Sequence, residues 1–172
     1  MGYQDLARHF KASKEKKQHL SKIAKCFSDS QKEEAQRLLK LTKFCFAYFD
    51  DSQELAQSFA DWQREELLTK LNEKLIEFSK EPLSHWLRQK CTDKSTIFRI
   101  YDDFSFSDSS FRQPKHVPEN IRWAAFRLQN LPRVVGFVLP DDDESWSNYP
   151  GLDKNTFYVV FLDKDHKFYS PG

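Results

Sequence analysis

Near Thr92 the spacing of apolar residues changes from a helical to a strand period, and this switch restricts the 172-residue chain to an α+β fold. Before it, apolar residues recur every three or four positions. Tyr3, Leu6, Ala7 and Phe10 form one stripe and Leu20, Ile23, Ala24 and Phe27 another, with lysines filling the opposite faces. Ser30 followed by Glu33 predicts a capping box, opening a helix whose stripe is Ala35, Leu38, Leu39, Thr42, Cys45, Phe46 and Phe49. Asp51 and Glu54 repeat that signal ahead of a long helix carrying Leu55, Phe59, Trp62, Leu68, Leu71, Leu75 and Phe78. Pro82 suits the first turn of a short helix with Leu83, Trp86 and Leu87, because its missing amide hydrogen is harmless there.

Beyond Thr92 the runs are short and rich in β-branched and aromatic residues. Residues 96–101, 123–128, 133–139 and 156–162 are the expected strands, the second favoured over a helix that residues 121–128 also suit, and the last three pair consecutively as an antiparallel meander. Asn130-Leu131-Pro132 supplies a turn. Residues 102–118 read as a polar, mobile connection, and Asp141-Asp142-Asp143-Glu144 as an acidic loop. The expected architecture is an N-terminal helical region, residues 1–92, packed on a small C-terminal antiparallel β-sheet, residues 93–172, as one cooperative unit. With 16 Phe and only 4 Gly, its interior should be built from large rings, with Phe46, Phe59, Trp62 and Phe137 at its centre.

The net charge of +1 conceals an asymmetry. Residues 1–43 hold 11 Lys/Arg against 5 Asp/Glu, and residues 93–172 hold 10 against 12. Lys11, Lys14, Lys16, Lys17, Lys22 and Lys25 therefore read either as a solvated helix face or as an anion-binding one. Cys26, Cys45 and Cys91 share no C-x-x-C spacing, which points to reduced thiols and a cytoplasmic setting. No apolar run reaches the roughly 18 residues of a membrane span, so no membrane partner is expected.

Two groups of residues carry potential chemistry. Asp163-Lys164-Asp165-His166 places an imidazole beside carboxylates that can orient it for proton transfer, and it also suits an ordinary turn. Arg127 and Arg133 flank the proposed hairpin, with Arg122, Lys164, His166 and Lys167 near them. Fixed guanidinium donors suit phosphate, while Tyr158 or Tyr169 can stack on a base. The same arginines also suit cross-strand ion pairs. His9, His19, His85 and His116 lack the i,i+4 partner of a zinc helix, and neither an EF-hand loop nor a phosphate-binding glycine loop is present. No metal or other cofactor is expected.

The order Phe126-Arg127-Leu128, Arg133-Val134-Val135-Gly136-Phe137, then Phe157-Tyr158-Val159-Val160-Phe161 ending in His166-Lys167-Phe168-Tyr169, resembles the sheet of the RelE/ParE-type toxin superfamily over residues 96–169. The resemblance implies a small α+β protein whose RelE-like members cut messenger RNA without a metal, with Arg127, Arg133, His166 and Lys167 at the matching positions. The helical half, the acidic insertion at 141–144 and the lack of nuclease activity in ParE-like members depart from that pattern. Two readings stay open. One is an RNA-directed, metal-independent nuclease or toxin-like module, with Arg127 and Arg133 on phosphate, His166 as acid or base, and Lys164, Lys167, Tyr158 and Tyr169 in binding. The other is a non-enzymatic module that binds a protein partner, or a second copy of itself, through amphipathic helices.

Overall fold

Three largely apolar runs hold the centre of the sheet. In the computed structural model, which describes residues 29–93, 95–102, 104–140 and 151–169, these runs form adjacent antiparallel strands. The elements, in chain order, are α1 (Asp29–Lys40), β1 (Lys43–Cys45), α2 (Phe59–Arg64), α3 (Leu67–Phe78), α4 (Leu83–Arg88), β2 (Lys90–Thr92), β3 (Ser95–Thr96), β4 (Phe98–Ile100), β5 (Arg122–Arg127), β6 (Arg133–Val138) and β7 (Thr156–Asp163). The chain divides into two compact units after Leu39. In the first, α1 leaves Leu38 and Leu39 half exposed. The second holds the sheet, ordered β1-β7-β6-β5-β4, with β1 parallel to β7 and every other pair antiparallel.

The α+β class and the three-strand meander are therefore present, within a mixed rather than purely antiparallel sheet. The helix expected to run on through Phe49 ends at Lys40, and Lys43–Cys45 becomes the parallel edge strand. Ser30 lies inside α1 instead of capping it. Nor does Asp51 open a helix. The cap is Ser58, whose Oγ accepts from Asp61 N–H while the Asp61 carboxylate accepts from Ser58 N–H, and the helix breaks again at Glu66, held at φ 58°. The expected helices within residues 1–28 and the acidic loop 141–144 lie outside the described residues, as do Lys11, Lys14, Lys16, Lys17, Lys22 and Lys25.

Both faces of the sheet are covered, which is why all eight residues of β7 are buried. On one face lie α2, α3 and α4, bringing Trp62, Leu71, Phe78, Leu83 and Trp86 against Phe98, Phe126, Val134, Phe157 and Leu162. Phe126 is the hub, with ring centroids of Phe98 and Phe78 at 4.4 and 4.6 Å. The other face is covered mainly by the segment expected to be a mobile connection. It packs Phe111 and Val117 among Trp123, Val135, Phe137, Phe161 and Phe168. That segment is fastened at Gln53, whose side-chain amide donates to Arg112 C=O and accepts from Arg112 N–H, both at 2.8 Å. Trp62 and Phe137 are fully buried as expected, whereas Phe46 and Phe59 remain more than a third exposed. The early end of α1 puts Phe46 just past an edge strand, where it packs on Phe59 at the rim with centroids 5.8 Å apart.

A β-bulge in β7 then determines which face the chain's end serves. Val135 pairs with Phe161 but Gly136 with Val159, leaving Val160 as the extra residue. Phe157, Val159 and Leu162 consequently face the helices, while Tyr158, Val160 and Phe161 face away from them. Asp163 follows on the latter face, opposite Arg133 in the ladder.

Candidate functional site

Antiparallel pairing places Arg127 opposite Arg133, and Arg133 opposite Asp163. One step along the same face, Arg99 pairs with Ala125. Like charges directly opposite each other in a ladder repel, so this row requires compensation. Arg133 obtains it from the hairpin turn. Its Nη1 donates to the carbonyls of Gln129, Leu131 and Pro132 at 3.2, 2.9 and 3.1 Å, and its Nη2 to Asn130 C=O at 3.1 Å. The side chain is nearly fully buried; that burial, and then the charge of Arg127, lower its pKa. Arg133 is thus first a clamp on the turn between β5 and β6. Arg133→Lys keeps the charge but not the planar fork, and it should lower stability by about 1.5–3 kcal/mol, the worth of hydrogen bonds from a charged group. Unchanged urea midpoints would remove the clamp.

Asp163, also buried, is committed as well. Its two carboxylate oxygens accept from Lys167 N–H at 3.0 Å and Phe168 N–H at 2.8 Å, closing the terminal turn. Rather than orienting the imbidazole directly, it fixes the backbone that presents it, with His166 in the left-handed region at φ 57°. From the other side, Gln57 Oε1 accepts from Lys164 N–H at 2.7 Å and from Trp62 Nε1–H at 3.3 Å, tying the turn to α2.

These elements surround a cavity of about 80 Å³ lined by Arg99, Arg127, Arg133, His166, Tyr101 and Tyr169, together with Ser95, Thr96, Ile97 and Ala125. No acid is among these described lining residues. The Arg127 guanidinium has no hydrogen-bond or ion-pair partner among the described residues, its residue being tied only through the backbone, where its N–H donates to Ile97 C=O at 2.8 Å, and the Arg99 guanidinium lies 5.5 and 5.7 Å from the ring centroids of Tyr101 and Tyr169. At about 30 Å³ per water the space suits one phosphate-sized group, well below the roughly 300 Å³ at which ordinary ligand pockets begin. Any larger ligand must leave the rest of itself outside, across Tyr169 and Arg99.

Burial, followed by the positive charge of Arg133, lowers the His166 pKa, with Asp163 opposing. The sign of the consequence is fixed. Between the depressed folded value and the ordinary value of about 6.5 the unfolded chain binds the extra proton, so stability is full above about pH 6.5 and falls as pH drops through that window. Urea midpoints of the wild type should therefore fall more between pH 7.5 and pH 5 than those of His166→Asn. Equal falls would contradict the depressed pKa.

Of the residues expected from sequence, Arg127, Arg133, His166 and Tyr169 meet here. Lys164 is turned to Glu65 at 2.6 Å, Lys167 lies on the exposed side of the turn near Asp165 at 3.8 Å, and Arg122 pairs with Asp102. Tyr158 is buried, stacked on Phe137 at 4.9 Å, and its Oη accepts from Asp153 N–H, so it is closed to a base. Arg99 and Tyr101 were not foreseen. Their signal was available, since in an antiparallel pair alternate residues of β4 share the face of Arg127. A wider cavity of about 570 Å³ at the elbow of α2 and α3 has Glu66 as its only ionisable lining residue, and so holds no acid–base pair. Among the described residues no group of three His, Cys, Asp or Glu could hold a metal ion, and no helix is long and apolar enough to cross a membrane. No protein-family model, curated protein or solved structure matches the chain.

Proposed function

We propose that the protein is a metal-independent, toxin-like ribonuclease module whose acid-free cavity holds the scissile phosphate. One observation carries this reading: unpaired Arg127 and ring-borne Arg99 share a phosphate-sized space with a largely neutral His166. Concentrated positive charge without a lining carboxylate calls for an anion. A neutral imidazole beside it can accept the proton of a ribose 2′-hydroxyl. The alkoxide attacks phosphorus, the bond to O5′ breaks, and O5′ takes a proton from solvent. The arginines stabilise the charge developing on the non-bridging oxygens. Tyr169 and the outer plane of Arg99 offer a surface for the adjoining base. The free thiols of Cys45 and Cys91 support a reducing, cytoplasmic setting.

The resemblance to RelE/ParE-type toxins belongs to this proposal and rests on residue order alone. The test is cleavage of several RNAs by purified protein in the presence of EDTA, with Arg127→Ala and His166→Asn as controls. Faithful cleavage by wild type and loss in both variants is the expected result; no cleavage by wild type overturns it. The half-exposed Leu38 and Leu39 of α1 favour the second reading, a helix-mediated protein interaction, which a wild type inert toward RNA would promote.

A further inference from the structure

Resting on that reading, we infer that the ligand is a single strand spanning several phosphates, which runs along both sides of the β2–β3 hairpin. The hairpin is a small two-stranded sheet of its own, carrying exposed Lys90, Cys91 and Thr92. It forms a wall shared by three cavities. The phosphate-sized one touches Ser95 and Thr96. A second, of about 300 Å³, shares those residues and Arg99 and adds Lys90 and Asp93. A third, of about 220 Å³, lies across Cys91 and Thr92 and shares Ile97 and Arg127 with the first, adding Lys74 and Asn130.

Arg99 and Arg127 therefore each serve two neighbouring cavities, and Lys90 and Lys74 extend the row at either end. Lys74 is already held by Glu77 at 2.7 Å, so among the described lining residues the outer charge available to a ligand is Lys90, opposed by Asp93 at the rim. Positive charge repeated at intervals along a groove suits a chain of phosphates better than one small anion. The strand must be single because the stacking surface beside it, Arg99 over Tyr169, accepts a base only when its faces are not already stacked in a duplex.

The experiment is fluorescence anisotropy with labelled 2′-fluoro RNA strands, which lack the nucleophile, at lengths of two, four and eight nucleotides, and with an eight-base-pair duplex. Wild type should bind the eight-nucleotide strand at least tenfold more tightly than the two-nucleotide strand, and more tightly than the duplex. Lys90→Ala should reduce the slope of log affinity against log salt by about 0.7, one phosphate contact on a single strand. Equal affinity for two and eight nucleotides confines the ligand to one phosphate and overturns the inference while leaving cleavage intact. A duplex that binds as well as the strand overturns its single-stranded character, and an unchanged slope removes the Lys90 cavity. If no strand binds, retained cleavage by wild type defeats this inference alone, whereas absent cleavage defeats the reading beneath it.

Discussion

His166→Asn should slow RNA cleavage by roughly 10²–10⁴-fold, the range for loss of a general acid or base, while leaving the fold intact. Asparagine is the informative replacement because the backbone at 166 sits at φ 57°, which Asn tolerates better than most residues. It also keeps a polar side chain in the cavity, so the change isolates proton transfer from packing. The pH profile separates this role from a structural one. For kcat/KM the wild-type rate should rise with the unprotonated imidazole, with its midpoint below the ordinary 6.5 or so, because burial and Arg133 depress that pKa in the free protein. For kcat the midpoint should move upward, since a bound phosphate offsets the arginine charge. A variant that cleaves as fast as wild type, or a loss without any change of profile, removes His166 from the chemistry. Arg127→Ala should act differently, weakening phosphate binding and slowing the step without moving the pH midpoint far.

Legibility in the sequence followed how locally each element is determined. Strands β6 and β7 announced themselves because residues buried on both faces of a sheet must be continuously apolar, whereas residues 121–128 suited a helix as well and read as β5 only through the turn that follows them. Strand β1 did not. Ala35, Leu38, Leu39, Thr42, Cys45, Phe46 and Phe49 satisfy a helical stripe equally well, and the competition is decided by the distant pairing of Phe44 with Phe157. The β2–β3 hairpin was hidden for the opposite reason: β2 is exposed, so no apolar alternation marks it. Arg127, Arg133 and His166 could be grouped because consecutive antiparallel strands bring one strand's end beside the next one's start. What could not be read was commitment. Whether an arginine faces a ligand or four turn carbonyls depends on the path of residues 128–132, and composition does not encode that path. The bulge was equally silent, since Val159, Val160 and Phe161 are all apolar and conceal the change of phase.

That bulge makes Gly136→Ala the substitution with the largest expected structural effect. A Cβ built at Gly136 would stand 2.1 Å from the Tyr158 carbonyl oxygen and 2.9 Å from its carbon. Both are backbone atoms of the neighbouring strand, so no side-chain rotation relieves the clash. The strands must part where β7 carries its extra residue, in the middle of the sheet. A loss of about 3 kcal/mol or more is expected, at or beyond the upper end for overpacking a core. The consequence should reach the site. If β7 relieves the clash by surrendering the bulge, every later residue exchanges faces, and Asp163 leaves its place opposite Arg133. The turn that holds His166 then loses its acceptor for Lys167 and Phe168 N–H. Gly136→Ala should therefore lower the urea midpoint and also abolish the depressed His166 pKa, followed by NMR titration of the imidazole in whatever fraction remains folded. A variant with wild-type midpoint and wild-type titration would show that the close approach at Gly136 does not position the site.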